Sequence, residues 1–125
     1  MTMFGNGFTE LPSTITALTK LGTLSLEGNA LSGPIPAEIA ELSNLSYLGL
    51  NANAFTGSIP AELAQLSELR FFYVGHNQLS GPVPDELLSF GDLSDAAFDG
   101  NQCLTASGEA AAWLSEMDPD WDDGC

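Results

Sequence analysis

A 24-residue repeat constrains this chain more than any other feature. Three similar pentapeptides recur at that interval, each with a glycine in second place and a proline in fifth place: Ser32-Gly33-Pro34-Ile35-Pro36, Thr56-Gly57-Ser58-Ile59-Pro60 and Ser80-Gly81-Pro82-Val83-Pro84. A period of this length is typical of a solenoid, in which each unit buries its apolar face against the next unit. The sequence therefore predicts stacked turns, called rungs below, around a continuous apolar core.

A second pattern keeps step with the pentapeptides. Its form is Leu-x-x-Leu-x-Leu-x-x-Asn-x-Leu, with Phe or Val replacing some leucines, over residues 21–31, 45–55 and 69–79. The chain thus resembles the leucine-rich repeat family, and its Gly-x-Ile-Pro segment resembles the plant-type subclass. The resemblance implies an α/β solenoid: a right-handed superhelix with a parallel β-sheet on its concave face and a helical cap at the C-terminus.

The repeats divide the chain into four parts: a partial first repeat over 1–20, three full repeats over 21–92, a degenerate last repeat over 93–104 and a cap over 105–125. About five rungs follow from one asparagine in each: Asn6, Asn29, Asn53, Asn77 and Asn101. Their side-chain amides are expected to bond backbone groups in the turn after each strand. We predict strands at 23–27, 47–51, 71–75 and 95–99. Helical return segments are predicted at 37–42, 61–66 and 85–90, each following a proline.

The cap is predicted to contain a helix from Ser107, its N-cap, to Met117, with Trp113 and Trp121 in the cap core. Cys103 and Cys125 bracket this region. We interpret them as a disulfide that closes the cap, which favours an extracellular or cell-surface location. Two free thiols or half of a metal site are the alternatives, and zinc is disfavoured because it needs four ligands and His76 is two repeats away.

The exposed strand positions predict a binding surface on the concave face. Tyr47 and Phe71 fall in one column of neighbouring strands, and Tyr73 falls in the next column. Because neighbouring strands are about 4.8 Å apart, these rings are expected to lie side by side. Arg70 and His76 flank the same strand, and the border is acidic, with Glu27, Asp95 and Asp99. The alternative is that the rings only form a cross-strand ladder that supports the sheet.

Charge and motifs disfavour several functional classes. Seventeen acidic residues against two basic ones give a formal net charge of −15, which disfavours nucleic acid and anionic membranes as partners. No apolar run is long enough for membrane insertion. The acidic segment 118–124 lacks the glycine position and final glutamate of an EF-hand, so we expect no metal there, with calcium as the alternative. No nucleophile, general base or phosphate loop is recognisable, so we expect neither enzyme activity nor a cofactor.

The sequence as a whole predicts a non-catalytic extracellular module that recognises a protein or peptide, or a glycan, through its concave face. The expected contact residues are Tyr47, Phe71 and Tyr73, with Arg70 and His76 as polar supplements. The alternative is a structural spacer or assembly module of a larger surface protein. That module would stack end to end through an uncapped N-terminal rung around Met1, Met3 and Phe8.

Overall fold

The computed structural model of this chain describes residues 2, 5, 11, 13–90, 93–106 and 108–124. Within them, the strands are β1 (Thr23–Ser25), β2 (Ser32–Pro34), β3 (Tyr47–Gly49), β4 (Ala54–Gly57), β5 (Phe71–Tyr73), β6 (Gln78–Leu79), β7 (Gly81–Pro82), β8 (Asp95–Ala97) and β9 (Leu104–Thr105). Four 3₁₀ helices span Ser13–Ala17, Ala37–Glu41, Ala61–Gln65 and Asp85–Ser89, and one α-helix, α1, spans Gly108–Met117.

The concave sheet is parallel, with strand order β1-β3-β5-β8. Its register matches the prediction, since Tyr47 pairs with Thr23 and Phe71, and Phe71 pairs with Asp95. Each strand ends two residues earlier than predicted. After each strand the chain turns, and one residue per rung adopts a positive φ, at Gly28, Ala52, His76 and Gly100. Hydrogen bonds between rungs continue through this turn, as from Leu26 N to Gly49 O.

The repeat asparagines form the predicted hydrogen-bonded ladder. Asn77 shows the arrangement: its Nδ2 donates to Leu50 O and Val74 O, both at 3.0 Å, and its Oδ1 accepts from Phe55 N at 3.1 Å. Asn53 and Asn101 make equivalent bonds in their own rungs, and Asn29 donates to Leu26 O. Asn6 lies outside the described residues. The ladder ties each rung to its neighbour because buried backbone groups need partners.

The apolar repeat positions form one continuous core between the concave sheet and the 3₁₀ helices of the opposite, convex side. Leu24, Leu48 and Phe72 lie in one inward column and are fully buried. The return segments are helical as predicted, and the three in the full repeats each follow a proline in extended conformation. Among the described residues, no helix is long and apolar enough to cross a membrane.

The last rung departs from the 24-residue interval. The 24-residue interval aligns Cys103 with the core position of Leu31, Phe55 and Leu79, but Cys103 is exposed and Leu104 is buried. In the inner rungs the core residue pairs with the pentapeptide glycine of the rung before, and Leu104 does so with Gly81. One extra residue after Asn101 therefore shifts the core position to Leu104. Cys125 lies outside the described residues, so the predicted disulfide stays a prediction.

Helix α1 covers the end of the core as predicted. Ala110, Leu114 and Trp121 are buried, and Trp113 packs with its ring 6.2 Å from that of Phe98. The predicted N-cap, Ser107, lies outside the described residues. So do Met1, Met3 and Phe8 of the proposed stacking surface, and end-to-end association therefore stays a prediction.

Carboxylates of the cap replace the carbonyl acceptors of a further rung. In the inner rungs, N–H groups such as that of Val74 donate to a carbonyl of the next rung. In the last rung, Phe98 N and Asp99 N donate to Asp118 Oδ2 at 2.8 and 3.0 Å. Gly100 N donates to Asp123 Oδ1 at 2.8 Å. Two acidic residues of segment 118–124 thus accept hydrogen bonds from the backbone N–H groups of the last rung.

Candidate binding surface

Tyr47, Phe71 and Tyr73 lie together on the concave sheet, and we call them the aromatic cluster. The ring centroids are 6.1 Å apart for Tyr47 and Phe71 and 5.5 Å apart for Tyr47 and Tyr73, with tilted planes. These are the distances of favourable aromatic contacts. The Phe71 side chain is 37% exposed, whereas its neighbour Phe72 points into the core and is fully buried. The pairing of β3 with β5 therefore produces an apolar patch that faces solvent.

Glu27 is the most deeply buried acid beside the cluster, with 7% of its surface exposed. Its carboxylate accepts a 2.6 Å hydrogen bond from the Tyr47 hydroxyl and another from the Ser25 hydroxyl. Gly49, on the next strand, makes room for it: a Cβ there would overlap Glu27 Oε1 and lie 2.9 Å from Tyr47 Cε1. The sequence placed Glu27 only at the border of the surface. The signal for its burial was the glycine in the neighbouring column.

Asp95 is the hydrogen-bond acceptor of Tyr73, the other tyrosine of the cluster. The Tyr73 hydroxyl donates to Asp95 Oδ2 at 3.0 Å. Partial burial raises the pKa of both phenols, and the hydrogen bonds to Glu27 and Asp95 raise the pKa values further. The physical cause is that a phenolate would lose solvation and face a carboxylate. Both tyrosines therefore stay neutral donors at physiological pH.

The two predicted polar supplements occupy different environments. His76 is at the positive-φ turn position, its side chain is 66% exposed, and its Nε2 lies 3.4 Å from Asp99 Oδ2. Arg70 is exposed next to Phe71, and within the described part of the chain it forms no ion pair. The structure thus places His76 beside Asp99. It also places the backbone of Arg70 beside the cluster, because Arg70 O accepts a hydrogen bond from Asp95 N at 3.2 Å.

Aromatic rings and carboxylates make up this surface. Over the ranges that the structure describes, no three His, Cys, Asp or Glu side chains are grouped to hold a metal. The exposed aromatic area lies between two carboxylates, and each carboxylate accepts a hydrogen bond from a neutral tyrosine hydroxyl. Such area becomes favourable contact when a partner removes it from water.

The sequence matches the Leucine Rich Repeat family over residues 20–42, 44–66 and 68–90, more than half of the chain. No curated protein sequence matches it.

Several solved structures resemble the fold. The ectodomain of the Arabidopsis thaliana receptor kinase GASSHO1/SCHENGEN3, in complex with CASPARIAN STRIP INTEGRITY FACTOR 2, is 34% identical with a TM-score of 0.84 over 94% of this chain. The BIR3–SERK2 complex, also from Arabidopsis thaliana, matches at 42% identity and a TM-score of 0.67 over 78% of the chain. A plant ice-binding protein matches at 34% identity and a TM-score of 0.73 over 77%.

The match covers only 14%, 50% and 31% of those solved chains, respectively. The similarity therefore concerns a block of repeats rather than whole proteins. Three consecutive family repeats, the repeat register of the parallel sheet and the shared fold lead to one conclusion: the chain belongs to the leucine-rich repeat family.

Proposed function

We propose that this chain is an extracellular binding module whose concave face recognises a protein or peptide through the aromatic cluster. The proposal depends mainly on the exposure of Phe71 beside Tyr47, in a protein whose other phenylalanines among the described residues are buried. Exposed aromatic side chains that a partner buries dominate binding energy in many interfaces. Tyrosine adds a polar group to the apolar area, so it suits a surface that is wet before binding and dry after it.

Two of the similar structures support a protein ligand. One is a receptor ectodomain in complex with CASPARIAN STRIP INTEGRITY FACTOR 2, and the other is a complex of two proteins, BIR3 and SERK2. We infer the extracellular location from the first of these and from the predicted disulfide. The backbone of Gly124 packs against Asn101 and Gln102. This contact brings the C-terminal end close to Cys103, as that disulfide requires.

A peptide selection with a matched pair of variants tests the proposal. Random displayed peptides are selected against the full chain, and the affinity of the enriched sequences is measured by calorimetry. Phe71→Ala is compared with Leu18→Ala, because Leu18 is the other large apolar side chain that is exposed among the described residues. We expect Phe71→Ala to weaken binding by about 2 kcal/mol or more, roughly 30-fold, with no change for Leu18→Ala.

Equal affinity of the enriched peptides for wild type and Phe71→Ala would contradict a binding site at the aromatic cluster. Circular dichroism and thermal unfolding of both variants serve as the folding control. Selection of glycans on an array, read out with the same two variants, distinguishes a glycan ligand from a peptide.

A further inference from the structure

We infer that the ligand presents an arginine side chain to the aromatic cluster, so that the partner is a basic segment of a protein chain. This inference rests on the proposed function and specifies its ligand. It follows from the arrangement of charge around the cluster, from the state of the two tyrosines and from the geometry of the exposed ring.

The aromatic cluster lies between two carboxylates. Its rings belong to β3 and β5, the two inner strands of the concave sheet. Glu27 follows β1 on one side, and Asp95 begins β8 on the other side. With strands about 4.8 Å apart, the four rungs span roughly 14 Å, which an extended peptide of about five residues can cross.

Neither of these two carboxylates forms an ion pair among the residues that the structure describes. Both accept hydrogen bonds from neutral phenols, which orient the carboxylates but leave their charge in place. A carboxylate removed from water is costly without a cation nearby, and Glu27 is almost fully buried. A cation supplied by the ligand would reduce that cost, and the formal net charge of −15 would attract it from a distance.

The geometry favours arginine over lysine. A guanidinium is planar and can stack on the exposed Phe71 ring while it donates to a carboxylate. Asp95 is exposed, and the Tyr73 hydroxyl bonds its Oδ2, while its Oδ1 has no hydrogen-bond partner among the described residues. That oxygen can accept an N–H from the stacked guanidinium. A lysine ammonium gains the charge attraction but not the planar contact.

Defined peptides and charge-matched variants test this inference. The probes are blocked hexapeptides of alternating serine and arginine, serine and lysine, or serine and glutamate, titrated calorimetrically into the full chain. The concave variant Glu27→Gln/Asp95→Asn is compared with the convex variant Glu62→Gln/Asp85→Asn. The two variants make the same chemical changes and remove the same charge, and both convex residues are exposed on 3₁₀ helices.

We expect the arginine peptide to bind wild type at least about threefold more tightly than the lysine peptide, and the glutamate peptide not to bind. The concave variant should lose about tenfold or more, and the convex variant less than about threefold. The single substitutions should rank in the same way, with a larger loss of peptide affinity for Asp95→Asn than for Asp85→Asn. This pair keeps the test valid if the buried Glu27 cannot be replaced without unfolding.

Equal losses for the concave and convex variants would overturn the inference, because binding would then reflect diffuse attraction to an acidic protein. So would equal affinity for arginine and lysine peptides. Selected peptides that need Phe71 but bind Glu27→Gln/Asp95→Asn as well as wild type would refute the arginine site and leave the proposed function standing. Peptides indifferent to Phe71→Ala would refute the proposed function itself.

Discussion

Replacing Asn77 by alanine should destabilise the solenoid far more than replacing an exposed asparagine. The Asn77 side chain makes four hydrogen bonds to the backbone, one of which accepts the N–H of Phe55. Alanine leaves that N–H buried without this acceptor. The carbonyls of Leu50 and Val74 lose one donor each, but each keeps a second donor, from Asn53 and Asn101 respectively.

The magnitude follows from this count. One orphaned buried N–H costs about 1–3 kcal/mol, and each additional hydrogen bond lost contributes about 0.5–1.5 kcal/mol. Since the carbonyls stay bonded, we expect a total near the lower end of the summed range, about 3 kcal/mol. That is a large part of the roughly 5–15 kcal/mol that stabilises a typical domain.

The assay is equilibrium unfolding in urea, with the free energy extrapolated linearly to water. Asn44→Ala is the matched control, because the Asn44 side chain is exposed and makes one bond, to Thr19 O at 2.8 Å. We expect it to change the unfolding free energy by less than about 0.5 kcal/mol. Free energies for Asn77→Ala and Asn44→Ala that agree within about 0.5 kcal/mol would refute the claim that the ladder carries stability between rungs.

Three further predictions concern the core, the cap and the tyrosines. Phe72→Ala should lower the free energy of urea unfolding by about 3–5 kcal/mol, and Phe71→Ala by less than about 1 kcal/mol, because only the Phe72 ring is buried in the core. Similar decreases for the two variants would contradict the assigned register. Asp118→Ala should lower the unfolding free energy by about 2 kcal/mol, because the N–H groups of Phe98 and Asp99 at the sheet edge lose their acceptor. The exposed Asp122→Ala should have little effect, and equal effects would contradict the role of Asp118 at the sheet edge. The folded state raises the pKa of both tyrosines, so the unfolding free energy should fall as the pH rises above about 10. Glu27→Gln should lower the titration midpoint of Tyr47. Midpoints of about 10 for both tyrosines of the wild type would contradict the hydrogen-bonded cluster.

The strict repeat explains why so much of the fold could be predicted from the sequence. In a parallel solenoid the strands pair one repeat apart, so the interval alone placed Tyr47 beside Phe71 and assigned the asparagine ladder. The cap helix followed from its apolar stripe. These features depend on periodicity, which one sequence displays directly.

Features that break the period could not be predicted in the same way. The extra residue that exposes Cys103 and buries Leu104 is visible only once strand pairing is known. The use of Asp118 as an acceptor for the sheet edge depends on how the chain turns after α1. Glu27 was recognised as a neighbour of the aromatic cluster, but its burial depends on the space above Gly49. Each of these depends on a three-dimensional contact that the 24-residue interval alone does not specify.

An NMR titration shows directly whether the concave aromatic cluster binds a ligand. Amide chemical shifts of the full chain, recorded by NMR during titration with the serine–arginine peptide, test it most directly. We expect the largest chemical-shift changes in β3, β5 and β8, around Phe71, and small changes in the 3₁₀ helices of the opposite face. Changes centred on Ala37–Glu41 and Ala61–Gln65, with β5 unaffected, would contradict it.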